Sequence, residues 1–279
     1  MRKNLLASSR RIRRKRKIIK TAVFFALFAG FFTGVVFLLN ASFLRIKNIE
    51  LTGNNFVSAK EISFKIKEVS VGKTGIFFNK DGFFFFPEEK IEIAILENFL
   101  RVKEVSVKKK IFSGLAVEIK ERENVVLACR GQECYFADEN GFVFEKAPDF
   151  SGGLYLKIYD ERNDEENNGI AASSTQPKPT MVVGLGASVL PTEEFKNLFL
   201  FAGKVNSSIN EVVKIILKDE GVYEIFVKEG WKIMLKENSE PKVTFSNLIT
   251  ALDSQIKDSR KKLDYIDLRF GNKVYFKYK

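Results

Sequence analysis

The chain of 279 residues contains no histidine, two cysteines and one tryptophan. Without histidine, Ser-His-Asp and Cys-His catalytic arrangements are excluded, and a zinc site would have to be built on two sulfurs with carboxylates. No Walker A pattern is present, and Gly184-Leu185-Gly186 lacks the third glycine of a dinucleotide-binding turn. Two adjacent acidic pairs stand out, Glu88/Glu89 and Glu165/Glu166. The first opens a helix, where negative charge complements the helix dipole, and the second lies in a polar stretch. Nothing singles out a carboxylate pair for acid–base work, so the expectation is a non-enzymatic chain with no cofactor, no metal and no small-molecule substrate.

Acidic residues are also missing from the first twenty positions, which hold ten basic ones: Arg2, Lys3, Arg10, Arg11, Arg13, Arg14, Lys15, Arg16, Lys17 and Lys20. The whole chain carries 46 Lys plus Arg against 35 Asp plus Glu, a net charge of +11. Without the ten, 36 basic residues face 35 acidic ones, so the excess belongs to a short tail. A basic surface for nucleic acid is not required by this distribution. A tail that binds nucleic acid would do so in a salt-dependent way, but it contains no aromatic residue to stack on bases.

Charge of either sign is then absent from Ala22 to Leu39, where Phe, Leu, Val and Ala dominate. With its flanks through Leu44 this run can cross a hydrocarbon layer roughly 30 Å thick as a helix, the form that satisfies its own backbone hydrogen bonds in lipid. Basic residues on the cytoplasmic side orient the N-terminus inward. A cleaved signal peptide also begins basic and apolar, but its apolar region is about 7–15 residues and ends at a small-x-small site. Here the run is longer, and Leu39 occupies the place of the small residue before Ala41. Gly30 and Gly34 form a G-x-x-x-G pair that could admit a second helix, or simply reflect the small residues common in membrane helices.

Beyond the span, residues 44–122 read β-α-α-β-β. Lys47, Ile49 and Leu51 alternate ahead of the turn Gly53-Asn54-Asn55. Ser58 and Glu61 form a capping box before Ile62, Ile66 and Val69 at helical spacing. Pro87-Glu88-Glu89 starts a second helix with Ile91, Ile95 and Phe99 on one face. Val105 and Val107, then a turn at Ser113-Gly114, then Leu115, Val117 and Ile119 make a hairpin with one apolar face. Between the helices, Phe77, Phe78 and Phe83 to Phe86 read as core, with an exposed patch for a partner or the nearby membrane as the alternative.

Residues 123–279 read mostly as antiparallel strands with flanking helices. Cys129 and Cys134 sit on two strands joined by Arg130-Gly131-Gln132-Glu133, within disulfide reach; they form a disulfide, favoured by an oxidising location, or remain two thiols. Asp138-Glu139-Asn140-Gly141 marks a hairpin turn. Residues 160–180 are acidic and then Ser/Pro-rich, a loop too polar for a core, and structure resumes at Met181-Val182-Val183. Thr192 opens a helix with Phe195, Leu198, Phe199, Ala202 and Val205 inward. Hairpins turn at Lys228-Glu229-Gly230 and at Gly271-Asn272, and a helix carries Leu248, Leu252 and Ile256. The last strand, Lys273 to Lys279, lies either at a sheet edge, where a partner strand could complete it, or in a protected position; periodicity does not choose.

Four motifs in this order resemble the FtsQ/DivIB cell-division family. Ile49-Glu50-Leu51-Thr52-Gly53-Asn54 with Val57-Ser58 and Glu61-Ile62 is similar to the opening of its POTRA (polypeptide-transport-associated) domain. Val117-Glu118-Ile119-Lys120-Glu121-Arg122 is similar to the end of that domain. Asp138-x-x-Gly141-x-Val143-Phe144 and Tyr265-Ile266-Asp267-Leu268-Arg269-Phe270 resemble two motifs of the β domain that follows. The resemblance implies an α+β protein with a cytoplasmic tail (1–20), a transmembrane helix (21–43), a POTRA domain (44–122) and an FtsQ-type β domain (123–279). It implies a single-pass type II protein of the cell membrane, outer part extracytoplasmic, at the division septum. Its implied partners are the small bitopic coiled-coil proteins of the FtsB/DivIC and FtsL kinds, received by strand addition around Phe270, Lys273, Val274, Tyr275 and Phe276. A membrane-tethered POTRA chaperone or secretion component is the alternative. The Phe-rich stretch, the loop at 160–180 and the Cys129/Cys134 pair depart from the family pattern.

Overall fold

The computed structural model describes residues 2–75, 78–110, 114–148, 153–162 and 184–279, with side chains from Lys15 onward except that of Thr74. Ser113 of the expected turn, residues 163–180 of the polar stretch and Met181-Val182-Val183 lie outside the described residues. The chain forms two compact units, Met1–Glu121 and Arg122–Lys279.

The first unit opens with one unbroken helix, α1 (Arg2–Leu39). Its Lys15–Leu39 portion is long and apolar enough to cross a membrane, and none of that window is buried by the rest of the chain. Phe24, Phe25, Leu27, Phe28, Phe31 and Phe37 all stand exposed. Apolar surface of this kind costs about 25 cal/mol per Å² in water, which the acyl chains of a bilayer relieve. The Thr33 hydroxyl donates to the Ala29 and Gly30 carbonyls, so the polar group inside the span is satisfied locally. The helix ends at Leu39, short of residue 43, because Asn40 stops it. The Asn40 amide nitrogen Nδ2 donates to the Val36 carbonyl at 2.8 Å, while Oδ1 accepts the Asn79 N–H at 3.1 Å.

The β-α-α-β-β order follows as β1 (Asn48–Thr52), α2 (Ala59–Ser70), a small hairpin of β2 (Lys73–Thr74) and β3 (Phe78–Asn79), α3 (Glu88–Asn98), β4 (Val102–Lys110) and β5 (Gly114–Glu121). The three-stranded sheet runs β1-β5-β4, with β1 parallel and β4 antiparallel to β5. Ile62, Ile66, Ile91 and Ile95 from the helices bury against Leu115, Val117 and Ile119 of the central strand. Gly53 turns after β1 at φ +82°, and a Cβ there would stand 1.9 Å from the Ile119 carbonyl oxygen, so no larger residue fits. The expected capping box is not made, since Ser58 forms no side-chain cap bond. Another carboxylate holds this turn: Glu121 accepts the backbone N–H groups of Asn55, Phe56 and Val57 at 2.9–3.0 Å.

The phenylalanine-rich stretch does not form core as a block. Phe86 is buried, Phe78, Phe83 and Phe85 are half-buried, Phe84 is exposed, and Phe77 lies outside the described residues. The reason is a turn at residues 79–83 that hydrogen-bonds to residues 40–46 instead of folding under α2 and α3.

In the second unit β6 (Val126–Arg130), β7 (Glu133–Ala137), β8 (Val143–Lys146) and β9 (Leu156–Asp160) precede α4 (Thr192–Ser208). Then come β10 (Val212–Lys218), β11 (Val222–Val227), β12 (Lys232–Lys236), α5 (Pro241–Ala251), β13 (Leu263–Phe270) and β14 (Lys273–Tyr278). One nine-stranded mixed sheet takes the order β14-β13-β12-β11-β10-β9-β6-β7-β8. Three adjacent pairs, β6/β9, β9/β10 and β12/β13, are parallel and the other five antiparallel. Helices α4 and α5 supply Phe195, Leu198, Phe201, Val205, Leu248 and Leu252 to a core that runs along the sheet. Phe201 is buried where Phe199 was expected, and Phe199 is only partly so. Asp160 is not the start of a loop but the end of β9: it is buried and grips Arg162 through Nε and Nη2 at 2.7 and 2.9 Å.

Candidate partner-binding edge

A sheet of nine strands has two ends, and here they differ in how their outer hydrogen-bonding groups are met. At the β8 end, residues 184–190 lie alongside: the Val143 N–H donates to the Ala187 carbonyl and the Gly186 N–H to the Val143 carbonyl, both at 2.8 Å. Phe142 forms a bridge to Ser188, and the Val189 N–H reaches the Gly141 carbonyl. The turn between β7 and β8 is fixed by Asp138, fully buried, whose Oδ1 accepts the N–H groups of Asn140 and Phe142 at 2.9 and 3.0 Å. Its Oδ2 accepts from Arg122, and that guanidinium lies 4.1 Å over the Phe142 ring. Gly141 takes φ +79°, with the Phe195 ring 2.7 Å from where a Cβ would be. One strand further in, Cys129 and Cys134 face each other in the β6/β7 register and form a disulfide, Cα atoms 4.0 Å apart.

At the other end, β14 pairs with β13, and no element among the described residues pairs with its far side. Val274 and Phe276 turn inward against the core, while Lys273, Tyr275 and Lys277 alternate with them. Tyr275 is 52% and Phe270 56% exposed, their rings edge-to-face at 5.4 Å. Opposite Tyr275 in register is Asp267, which accepts from Arg269 through Nε, Nη2 and backbone N–H. Burial raises the Asp267 pKa, but these bonds from Arg269 outweigh it and hold the carboxyl below the ordinary aspartate value. The turn between the strands is pinned by Asn247, which donates to the Gly271 carbonyl at 3.1 Å.

The residues expected to receive a partner thus share this end. Phe270 and Tyr275 stand exposed, Lys273 lies on the strand's outer alternation, and Val274 and Phe276 secure the strand to the core. Tyr278, its ring 5.6 Å from Phe276 and 38% exposed, belongs with them and is the next aromatic in the same alternation. Lys273, Lys277 and Lys279 make this end basic. Lysine on an edge strand opposes pairing with an identical edge, because two copies would set like charges side by side.

The four sequence motifs acquire physical roles in this geometry. Gly53 and Glu121 close one turn from two sides, and Asp138 with Gly141 builds the β7/β8 turn. Asp267 and Arg269 brace β13 beneath Tyr275. Each supplies the hydrogen bonds and close approaches that its turn or strand needs.

An apolar helix of membrane-spanning length, a β-α-α-β-β unit with β1 parallel to β5 and the mixed sheet beyond it define an anchored α+β protein of the POTRA class. The family model for the POTRA domain, FtsQ-type, matches residues 44–122. Residues 44–122 are therefore a POTRA domain of the FtsQ type, which supports an FtsQ/DivIB-like, division-associated POTRA protein. No curated protein matches it.

Proposed function

We propose that this chain is a non-enzymatic scaffold of the bacterial division complex, held in the cell membrane by α1 with its basic tail inside and both folded units outside. Small bitopic coiled-coil partners of the FtsB/DivIC and FtsL kinds add a strand to β14 at the division septum. The observation that carries this reading is the asymmetry of the nine-stranded sheet: residues 186–189 lie along the start of β8, while no element among the described residues pairs with the far side of β14. Strand addition takes affinity from backbone hydrogen bonds and specificity from side chains at alternate positions, here Phe270 and Tyr275 on one face with Tyr278 on the other. Aromatic side chains are the commonest anchors of such contacts. Partners confined to the same membrane plane gain effective concentration, so a single added strand suffices.

Co-purification of epitope-tagged bitopic partners with the full chain tests this. A chain ending at Asp264 would cut β13 ahead of its buried Ile266 and Leu268, so the informative variant is Phe270→Ala/Tyr275→Ala, which alters two exposed rings. Partner recovery should fall at least about tenfold, the effect of about 1.4 kcal/mol, at unchanged yield of the chain. Undiminished recovery would overturn docking at β14.

A further inference from the structure

A second exposed apolar surface lies where the first unit meets the end of α1. Three segments are tied together there by hydrogen bonds from backbone N–H groups. Asn79 N–H donates to Asn40 Oδ1 just past the last helical residue, Phe83 N–H to the Leu44 carbonyl at 2.8 Å, and Ile46 N–H to the Asp81 carbonyl at 2.9 Å. Lys80 N–H donates in turn to the Gly72 carbonyl at 3.0 Å. Gly82, buried between them, leaves so little room that a Cβ would lie 3.2 Å from the Asn79 carbonyl oxygen and 3.9 Å from that of Leu39. The turn at 79–83 is therefore fastened at the level where the apolar run of α1 stops.

Each of the three segments presents an apolar side chain to solvent: Phe43 at 62%, Val71 at 74% and Phe84 at 58% exposure. Phe83 packs edge-to-face against Phe84 at 5.5 Å, and beside them in sequence the Phe78 and Phe85 rings stack at 4.3 Å. Cationic groups border it: Arg45 is paired with Asp81, and Lys109 Nζ lies 5.5 Å over the Phe83 ring. Aromatic rings flanked by Arg and Lys at the end of a membrane-spanning helix match the chemistry of the headgroup and upper acyl region of a bilayer.

We infer that Phe43, Val71 and Phe84 form a membrane-resting foot, which beds the first unit into the outer leaflet around α1. The occupant is lipid because the patch is continuous with α1: Phe43 is four residues beyond Leu39, and Phe84 follows a residue bonded to Leu44. The inference rests on α1 spanning the membrane. The foot fixes the height of the unit above the bilayer, where a helix alone would leave it free to lift and swing.

The test uses the full chain in vesicles of phosphatidylethanolamine and phosphatidylglycerol, with a nitroxide on one introduced cysteine at a time and the native disulfide retained. Positions are Phe84→Cys, Phe28→Cys within α1, and Phe56→Cys at the far end of β1, about 17 Å along the strand at about 3.3 Å per residue. The ratio of oxygen to nickel-chelate accessibility should be highest at 28, low at 56, and several-fold above 56 at position 84. A lipid-like ratio at 28 with equal ratios at 84 and 56 overturns the foot and leaves the anchor standing. A label at 84 shielded from both reagents means that protein covers the patch, which also overturns it. An aqueous ratio at 28 overturns the anchor and the foot with it.

Discussion

The two ends of the nine-stranded sheet solve the same physical problem in opposite ways. Unpaired N–H and C=O groups on an edge strand invite pairing. At β8 they are met by the chain's own residues 186–189, set in place by the buried Asp138, by Gly141 against Phe195 and by a disulfide one strand inward. At β14 the strand is basic and flanked by exposed rings, and no element among the described residues pairs with its far side. The POTRA-type unit shows a third solution, in which the Glu92 and Glu88 carboxylates of α3 accept the outward Val107 and Lys109 N–H groups of β4. Backbone groups meet the edge at β8 and carboxylates meet it at β4, whereas among the described residues no element pairs with the far side of β14.

That contrast can be broken at its closed end first. Trp231, the sole tryptophan and fully buried in the second unit, reports unfolding of that unit alone. Asp138→Ala leaves Arg122 without its carboxylate and strands two backbone N–H groups, so stability should fall by about 3–5 kcal/mol. A loss below about 1 kcal/mol in denaturant titrations followed by Trp231 would mean that Asp138 does not hold that end. Replacing both cysteines by alanine removes a short cross-link and should cost about 2 kcal/mol on the chain-entropy account. Because the link is far from β14 in strand order, partner recovery should stay unchanged, and a drop would show that the two ends are coupled. The smallest effect concerns the open end. Asp267 has its pKa lowered by folding, so its contribution is complete above the unfolded carboxyl value near about 3.9 and is lost as pH falls through the folded one. Asp267→Asn should flatten the acid limb of the Trp231 unfolding midpoint below the unfolded carboxyl value of about 3.9, and an unaltered limb would remove that assignment.

Much of this was legible because local patterns carry local structure. The alternation of Leu115, Val117 and Ile119, and the helical spacing of Ile62 and Ile66, follow directly from which face is buried. What escaped was of two kinds. Strand β10, Val212–Lys218, holds Ile215, Ile216 and Leu217 buried in succession, the signature of a central strand covered on both faces, which alternation does not reveal. Strand β9 is short and joins only strands distant in sequence. The Ser58 cap failed because a carboxylate 63 residues away in sequence, Glu121, reached the turn instead, which no local pattern encodes. The repeated Asp-x-Arg of Asp160/Arg162 and Asp267/Arg269 was a readable signal: residues two apart on a strand share a face, and each pair forms a two-point bridge. The residues proposed for partner binding could be grouped from the last hairpin's sequence, but their position at a sheet end could not, since strand order is set by contacts across the whole unit.

If strands add at β14 as proposed, a sheet whose β8 side is met at Val143 by the chain itself, and whose β14 has no paired far side among the described residues, has a valency of one. On that proposal the molecule terminates a strand ladder and does not propagate it, because at β8 the N–H and C=O of Val143 are already taken by residues 186 and 187. Growth into fibres needs two complementary edges on one sheet, and the cover at residues 186–189 removes one of them. On the proposed strand addition, the disulfide and the Asp138 turn, which stabilise locally, would also limit how many molecules this sheet joins.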